Sequence, residues 1–520
     1  MTTRIPHCLS PALTVAALSL GFVGCGRSTP SPNLTYSGFE YQAQQVTPWK
    51  QNAAPMAWNS ATGVIIFNRR GADNLWDAYA VNPDGTGEVC LTCTVPSFPD
   101  VGAATSRGVA DVSPDGKYVL LTVEKGSHPG VAIGASQTDP GKGVFNDIWL
   151  LTSDGSQAWP LTDLPVDANQ GTIWQRFDRT GNTIVWAQMY RGAGLVEFFG
   201  YWTLKLGDIA WSNGTPSLTN IRTFEPEAGR FYEPYGFAPD NQSFLFTSDM
   251  QTLAPAYSKI WSVSTDFTRL TKLGPDDATG FFADYDEFAY YLPRGNRILY
   301  ARTYQATNGG MDYWTMAPDG SDQRRVTFVN EPWNLENMGY AVMGGLGFDP
   351  TNPDRFVVGV CPSLDCSQIN AMMVDLVAYK PEQQGLTGTY FSDVNLETRV
   401  TSRVDPSIQF KWTAAPMAGV PQSFSARWTG RITPSLTGSY MLCAQVDDGA
   451  RLRVDGALLV DAWNNGPGQY CATVSWMEGV SYSFEMEYWN GGDTAIAYVF
   501  WQRPDGIREV IPPTVFTPAP

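Results

Sequence analysis

Histidine is almost missing from this sequence: 520 residues contain two, His7 and His128. A metal centre built on several imidazoles is excluded by that count. Basic residues are also scarce, with 34 Lys and Arg against 51 Asp and Glu, for a net charge of -17. Too little positive charge is available to neutralise phosphates, which excludes nucleic acid as a partner. Charged residues of all kinds make up only 16%. No long segment carries the apolar period of a helix. No G-x-S-x-G elbow occurs, and nothing after residue 380 has the α/β pattern of a serine hydrolase. The acidic excess suits an exported protein kept in solution by its surface charge.

What is plentiful is glycine (50), proline (37) and aromatic side chains (13%). That mixture suits short strands joined by many turns, and the length calls for two or three domains. Residues 1–24 read as an export signal: Arg4, then an apolar run from Leu13 to Val23 that is too short to span a bilayer. "GFVGC" resembles a bacterial lipobox. The resemblance implies cleavage after Gly24, lipid on Cys25 and attachment to a membrane. Gly26, rather than aspartate, follows Cys25 and by the same resemblance implies the outer membrane, with the chain periplasmic or surface-exposed. Residues 25–49 are then a lipidated tether, "RSTPSPN", and a first strand.

Six further cysteines fall as neighbours: Cys90 and Cys93, Cys361 and Cys366, Cys443 and Cys471. In an oxidising compartment this even, local grouping favours three disulfides. Cys90 and Cys93 as half of a zinc site is the alternative, but no second pair or histidine cluster completes it.

Between residues 50 and 380 one pattern recurs, an aromatic or apolar approach, a Pro/Asp/Gly/Asn turn, then β-formers. It appears as "AWNSATGVIIFN" at 57, "DVSPDGKYVLLT" at 111, "QRFDRTGNTIVWA" at 175, "GFAPDNQSFLFTS" at 236, "YYLPRGNRILYA" at 290 and "GFDPTNPDRFVVG" at 347. Several units carry a second hairpin, such as "DIWLLTSDGSQAWPLT". Asp-Gly and Asn-Gly at the tips supply the positive φ of hairpin turns. Six units imply a six-bladed β-propeller. The repeats resemble those of TolB-like propellers, which implies the fold and a binding or scaffold role rather than one function. The segment "YSGFEYQAQQVTPW" is expected to supply the strand that closes the last blade. Asp276 with Asp277, and Asp284, Asp286 and Glu287, are the acids to examine for a paired-carboxylate site in the channel. His128 reads as a loop residue.

After residue 380 the repeat stops. "GTYF" from 388, "WTG" from 428, "TGSY" from 437, the "DDGARLRVDG" hairpin from 447 and the closing aromatic strand together resemble a PA14 domain over residues 383–517. The resemblance implies a β-sandwich, with Phe424, Ala426, Trp428, Leu452, Val454, Tyr482, Phe484 and Met486 facing inward. Adjacent Asp447 and Asp448 pose a question, because like charges repel. They either shape a tight turn or hold a cation. In carbohydrate-binding members of the PA14 family, two such aspartates, joined by a cis peptide, bind calcium with an asparagine and backbone carbonyls. Sugar hydroxyls bind the same metal. By that resemblance the metal ligands here are Asp447, Asp448 and Asn490, with carbonyls of Gly492 and Thr494. Trp463, Asn464, Asn465 and Trp489 would form the sugar-selecting rim, the alternative being that either Trp belongs to the core.

The reading is an all-β chain, a six-bladed propeller followed by a PA14-type sandwich, anchored in the cell envelope by lipid on Cys25. It is expected to bind a glycan or polysaccharide through calcium without catalysis, the propeller serving as platform or second surface. The alternatives are an interaction scaffold for envelope proteins with a structural Asp-Asp turn, and a carbohydrate-active enzyme with its site in the propeller.

Overall fold

The computed structural model describes residues 40–519 except 74, 94–97, 99–104, 127–142, 193–199, 252–257, 275–284, 295–296, 304–309, 331–336, 339–340, 364–367, 381–382, 413–414 and 493. The signal and lipidation assignments at residues 1–25, His128, Cys366, Asp276, Asp277 and Asp284 lie outside the described residues. Six four-stranded antiparallel sheets lie between Glu40 and Tyr379, and two larger sheets follow. Each of the six turns read from the sequence joins the first two strands of one sheet. The pairs begin at Ala54–Trp58 with Ile65–Arg70 and end at Val342–Phe348 with Arg355–Cys361. The first strands of successive sheets pack side by side, and the sixth packs against the first, so they form the inner ring of a propeller. The turn glycine Gly116 has φ +71, and a Cβ there would lie 2.4 Å from Asn59 Oδ1 on the preceding blade. Asn59 instead donates its Nδ2 to the Gly116 carbonyl at 2.8 Å, so the turn also locks one blade to the next.

The ring is closed by the chain itself. Strand Glu40–Lys50 pairs with Asn370–Tyr379 from Glu40 opposite Tyr379 to Lys50 opposite Ala371. The sixth blade thus takes its outer strand from the start of the propeller, which removes an exposed edge.

Every inner strand carries a register irregularity against its neighbour at the same depth. The breaks fall between Pro55 and Ala57, Val109 and Asp111, Ile173 and Arg176, Pro234 and Phe237, Glu287 and Tyr290, and Met343 and Leu346. A bulge re-aims the side chains around it. Trp174 and Phe288 sit at two of these breaks with φ +51 and +53, a conformation that L residues adopt at a cost of roughly 1–3 kcal/mol. Their rings lie 5.5 Å apart, and Tyr235 is 6.2 Å from Trp174 and 5.9 Å from Phe288. Three bulges therefore gather an aromatic plug midway along the channel.

The C-terminal sandwich packs a seven-stranded sheet on a five-stranded one. All the expected inward positions are buried except Tyr482, which is half-buried against the same core. The motif residues turn out to be one packing unit. Trp428 is fully buried and stacks on Phe410 at 5.8 Å, while its Nε1 donates to Asp405 at 2.7 Å. Tyr390 donates its hydroxyl to the same carboxylate oxygen at 2.6 Å, and Arg403 Nε reaches the other oxygen at 2.6 Å. Burial nevertheless raises the Asp405 carboxyl against the opposing pull of Arg403, Tyr390 and Trp428. Gly388 is glycine because a Cβ would sit 2.2 Å from that carboxylate.

Two disulfides expected from spacing are present, Cys90–Cys93 and Cys443–Cys471, and Cys361 is also disulfide-bonded. Asp77 lies beside Cys90 and Cys93, but the two sulfurs are bonded to each other and hold no metal. Propeller and sandwich touch. Gln42 donates to Gln409 at 3.0 Å, Gln44 to Glu509 at 2.6 Å, and Phe328 packs on a cluster of Cys443, Tyr498, Phe500 and Val510.

Trp428→Phe keeps the ring but removes a donor from buried Asp405, and should cost about 1–3 kcal/mol. Trp428→Ala should cost about 3–5 kcal/mol. Calorimetric unfolding of the full chain checks both, and an unchanged stability in Trp428→Phe would contradict a role for the Asp405 bond.

Candidate functional site

The Asp-Asp pair lies at the end of a strand, not at a hairpin tip. Strand Gly438–Asp447 belongs to the five-stranded sheet, and Gly449–Val454, two residues later, belongs to the seven-stranded sheet. The hairpin expected in "DDGARLRVDG" lies further on, between Gly449–Val454 and Ala457–Asp461, with its turn at Asp455 and Gly456 of φ +47 and +76. Asp447 and Asp448 form a corner where the chain leaves one sheet for the other. The tight-turn alternative is corrected to that extent.

A second crossing runs beside it. Strand Tyr482–Asn490 of the seven-stranded sheet leads through residues 491–494 to Ala495–Gln502 of the five-stranded sheet. Asp447 is paired with Ile496, and Gly449 with Trp489, so the two corners are in register. Asp448 joins them. Its N–H donates to the Trp489 carbonyl at 3.3 Å, and its Oδ2 accepts the Gly491 N–H at 2.7 Å. The Tyr488 hydroxyl donates to the Asp447 carbonyl. Burial and then the Asp447 and Asp448 charges push that hydroxyl far above its usual range, so it stays a donor. The peptide between Asp447 and Asp448 is cis.

Asn490 lies at the same corner, buried, and its Nδ2 donates to the Gln422 carbonyl at 2.9 Å. The amide nitrogen is thereby committed, and only the amide oxygen has the chemistry of a cation ligand. Gly492 follows with φ +136, and Thr494 is exposed at the far side of the loop. The expected metal residues are therefore on two adjacent crossings. The donor set, two carboxylates, an amide oxygen and backbone carbonyls, is all oxygen, as calcium requires.

Trp463 and Trp489 are half-buried, their rings 6.4 Å apart, and Trp489 Nε1 donates to the Trp463 carbonyl at 2.9 Å. The Arg451 guanidinium lies 4.3 Å from the Trp463 ring centre. Both indoles buttress the corner. Asn464 and Asn465 are exposed in the loop beside them. Sequence reasoning missed three supporting groups: Tyr488, the Gln422 carbonyl and Gly449. A Cβ on Gly449 would meet Trp489 Nε1 at 2.4 Å and the Trp463 carbonyl at 2.5 Å. The glycine after the acid pair was therefore a signal of close approach.

A model of the PA14 domain matches residues 382–514, and the C-terminal sandwich is such a domain. The anti-sigma-I factor RsgI3 of Acetivibrio thermocellus is 31% identical over 138 residues, 26% of this chain and 21% of that protein. This chain thus spans about a fifth of that curated relative. Among solved structures, an anti-sigma factor domain-containing protein from Clostridium clariflavum is 30% identical, covering 26% of this chain and 48% of that one, with TM-score 0.26. A putative TolB from Agrobacterium tumefaciens is 13% identical, covering 65% of this chain and 99% of that one, with TM-score 0.37.

The propeller channel holds a second group of acids. Asp286 and Glu287 were to be examined together, but neighbours on a strand point to opposite faces. Asp286 is buried with Lys259 Nζ and Arg302 Nε each 3.6 Å away, a structural ion cluster. The residue that burdens Glu287 is Glu233, on the inner strand of the preceding blade. Burial raises both carboxyls, and the Glu233 charge raises Glu287 further. Glu233 escaped notice because its partner lies on another blade.

Carboxyls with raised folded-state values bind protons more tightly in the native state than in the unfolded chain. Their contribution is complete below the usual 4.5 and is lost as pH rises toward 8. The thermal midpoint of the full chain should fall between about pH 5 and about pH 8, and Glu233→Gln should flatten that slope. An unchanged slope in the variant would show that this pair does not set it.

Proposed function

We propose that this chain is a lipid-anchored envelope protein that binds glycans through a calcium ion held at the Asp447–Asp448 corner. The observation that carries the reading is the register of the two crossings, which sets Asp447, Asp448 and Asn490 side by side. Three features fit the donor set to a hard cation. Two adjacent carboxylates repel unless a positive charge lies between them. The Asp448 Oδ2 is fixed by Gly491, and the Asn490 nitrogen by Gln422, so both side chains are pre-oriented. Among the described residues, Asp448 Oδ1 accepts no hydrogen bond from the protein.

Asp447, Asp448 and the Asn490 oxygen would hold the ion, with carbonyls of Gly492 and Thr494. Bound calcium supplies open coordination positions that paired sugar hydroxyls can occupy. The exposed Asn464 and Asn465 are placed to hydrogen-bond the rest of the sugar. Trp463 and Trp489 stiffen the rim. The propeller, held to the sandwich through Gln42, Gln44 and Phe328, serves as the platform.

Calorimetric titration of calcium into the full chain should show one site. Asp447→Asn with Asp448→Asn should weaken it at least about 100-fold, a loss of about 2.7 kcal/mol or more. A glycan array probed with the full chain should give signals that chelator abolishes and calcium restores. Absence of calcium heat in the native chain, or glycan signals indifferent to chelator, would overturn the reading in favour of an envelope scaffold.

A further inference from the structure

The bulges that build the aromatic plug also leave a cavity at the C-terminal ends of the inner strands. All six blades contribute to its wall, and its volume is about 260 Å³. Asp111, Arg176, Arg179 and Tyr290 supply its polar groups, and Trp58 and Phe348 are among its aromatic walls.

Arg176 is 3% exposed. One terminal nitrogen donates to the Ala110 carbonyl, the other donates to the Tyr290 hydroxyl at 3.0 Å, and Nε has no partner. Its guanidinium lies 5.0 Å from the Trp174 ring centre. Arg179 stands exposed at the mouth and donates to the Phe237 carbonyl at 3.1 Å. Neither guanidinium forms an ion pair among the described residues. Burial raises the Asp111 carboxyl against the pull of both guanidiniums, and its oxygens are taken up by the backbone N–H groups of Val112 and Phe177, each at 2.9 Å. Asp178 spends its carboxylate on its own turn, accepting from Thr180, Asn182 and Thr183.

A buried guanidinium is ordinarily paired with an anion, because leaving it alone costs several kcal/mol. Here two guanidiniums share one cavity; Asp111 and Asp178 are hydrogen-bonded elsewhere, Asp178 also by Asn241, and burial raises the Glu233 carboxyl to about 8 despite the pull of Arg176, so that it is largely uncharged at neutral pH. We propose that this cavity binds a small organic carboxylate, its charged end between Arg176 and Arg179 and its apolar body against the aromatic wall. A planar guanidinium matches a carboxylate in geometry as well as charge. The volume is at the small end of ligand sites, so the ligand has about ten non-hydrogen atoms. An extended chain does not fit. The site is independent of the calcium corner.

Benzoate, phenylacetate and hexanoate are titrated separately into the full chain by calorimetry, with benzyl alcohol as the neutral counterpart of benzoate. At least one acid should bind at a single site, and benzyl alcohol at least about tenfold more weakly than benzoate. Arg179→Gln, at the open mouth, should weaken the acid at least about tenfold while leaving the thermal midpoint of the empty protein unchanged. Arg176→Met should abolish binding. No saturable binding of any of the three acids would overturn the proposal. So would equal binding of benzoate and benzyl alcohol, or full affinity in Arg179→Gln.

Discussion

Two neighbouring crossings join the sheets of the C-terminal domain, one from Asp447 to Gly449 and one from Asn490 to Ala495, and the Asp448 carboxylate fastens one to the other through the Gly491 N–H. Much of the local sequence follows from that constraint. Gly449 must lack a side chain because the Trp463 carbonyl and the Trp489 indole occupy the space. Tyr488 must keep its hydroxyl to satisfy the Asp447 carbonyl, and the charges beside it keep that proton in place. Gln422 must lie under Asn490 to fix its amide. The two like charges stand together at the centre of the corner, where the Asp448 carboxylate accepts the Gly491 N–H. A hard cation shared by them is the reading proposed above.

The propeller shows a similar economy with a different device. Bulges at one depth in all six inner strands divide the channel into unlike ends. Toward one end burial raises the Glu233 and Glu287 carboxyls, and the Glu233 charge raises Glu287 further; toward the other, Arg176 and Arg179 line a small cavity. Strand pairing continues past each bulge, so the blades keep their hydrogen bonds while the side chains near the axis are re-aimed. The polar character of both ends is thus created by backbone irregularity as much as by residue choice.

The repeat was legible because its signals are local. A Pro-Asp-Gly turn and the β-formers after it lie within a dozen residues, and all six fall between paired strands as read. The closing strand Glu40–Lys50 was legible from position, since a ring needs its last edge covered. The corner was harder. Asp447 and Gly449 are two residues apart, yet which sheet each joins depends on Ile496 and Trp489, some 40 residues further on. Hence a turn or a cation site stayed open at Asp447 and Asp448, and the crossing between sheets was not read, although the hairpin of the same motif was. Rim and core both stayed open for Trp463 and Trp489, because aromatic exposure is decided by neighbours such as Arg451 that no short motif reveals. Glu233 and the arginine pair were invisible for the same reason: their partners lie on other blades, and bulges shift the alternation that would have placed them.

The central claim is that the corner between the sheets is a cation site. Terbium is a hard, oxygen-seeking ion that takes calcium positions, and the Trp463 and Trp489 indoles beside Asp448 are positioned to sensitise its emission. Excitation of tryptophan in the full chain with terbium should yield green emission that calcium quenches by displacement and that Asp448→Asn removes. Emission that is missing in the native chain, or equally strong in Asp448→Asn, would contradict the account.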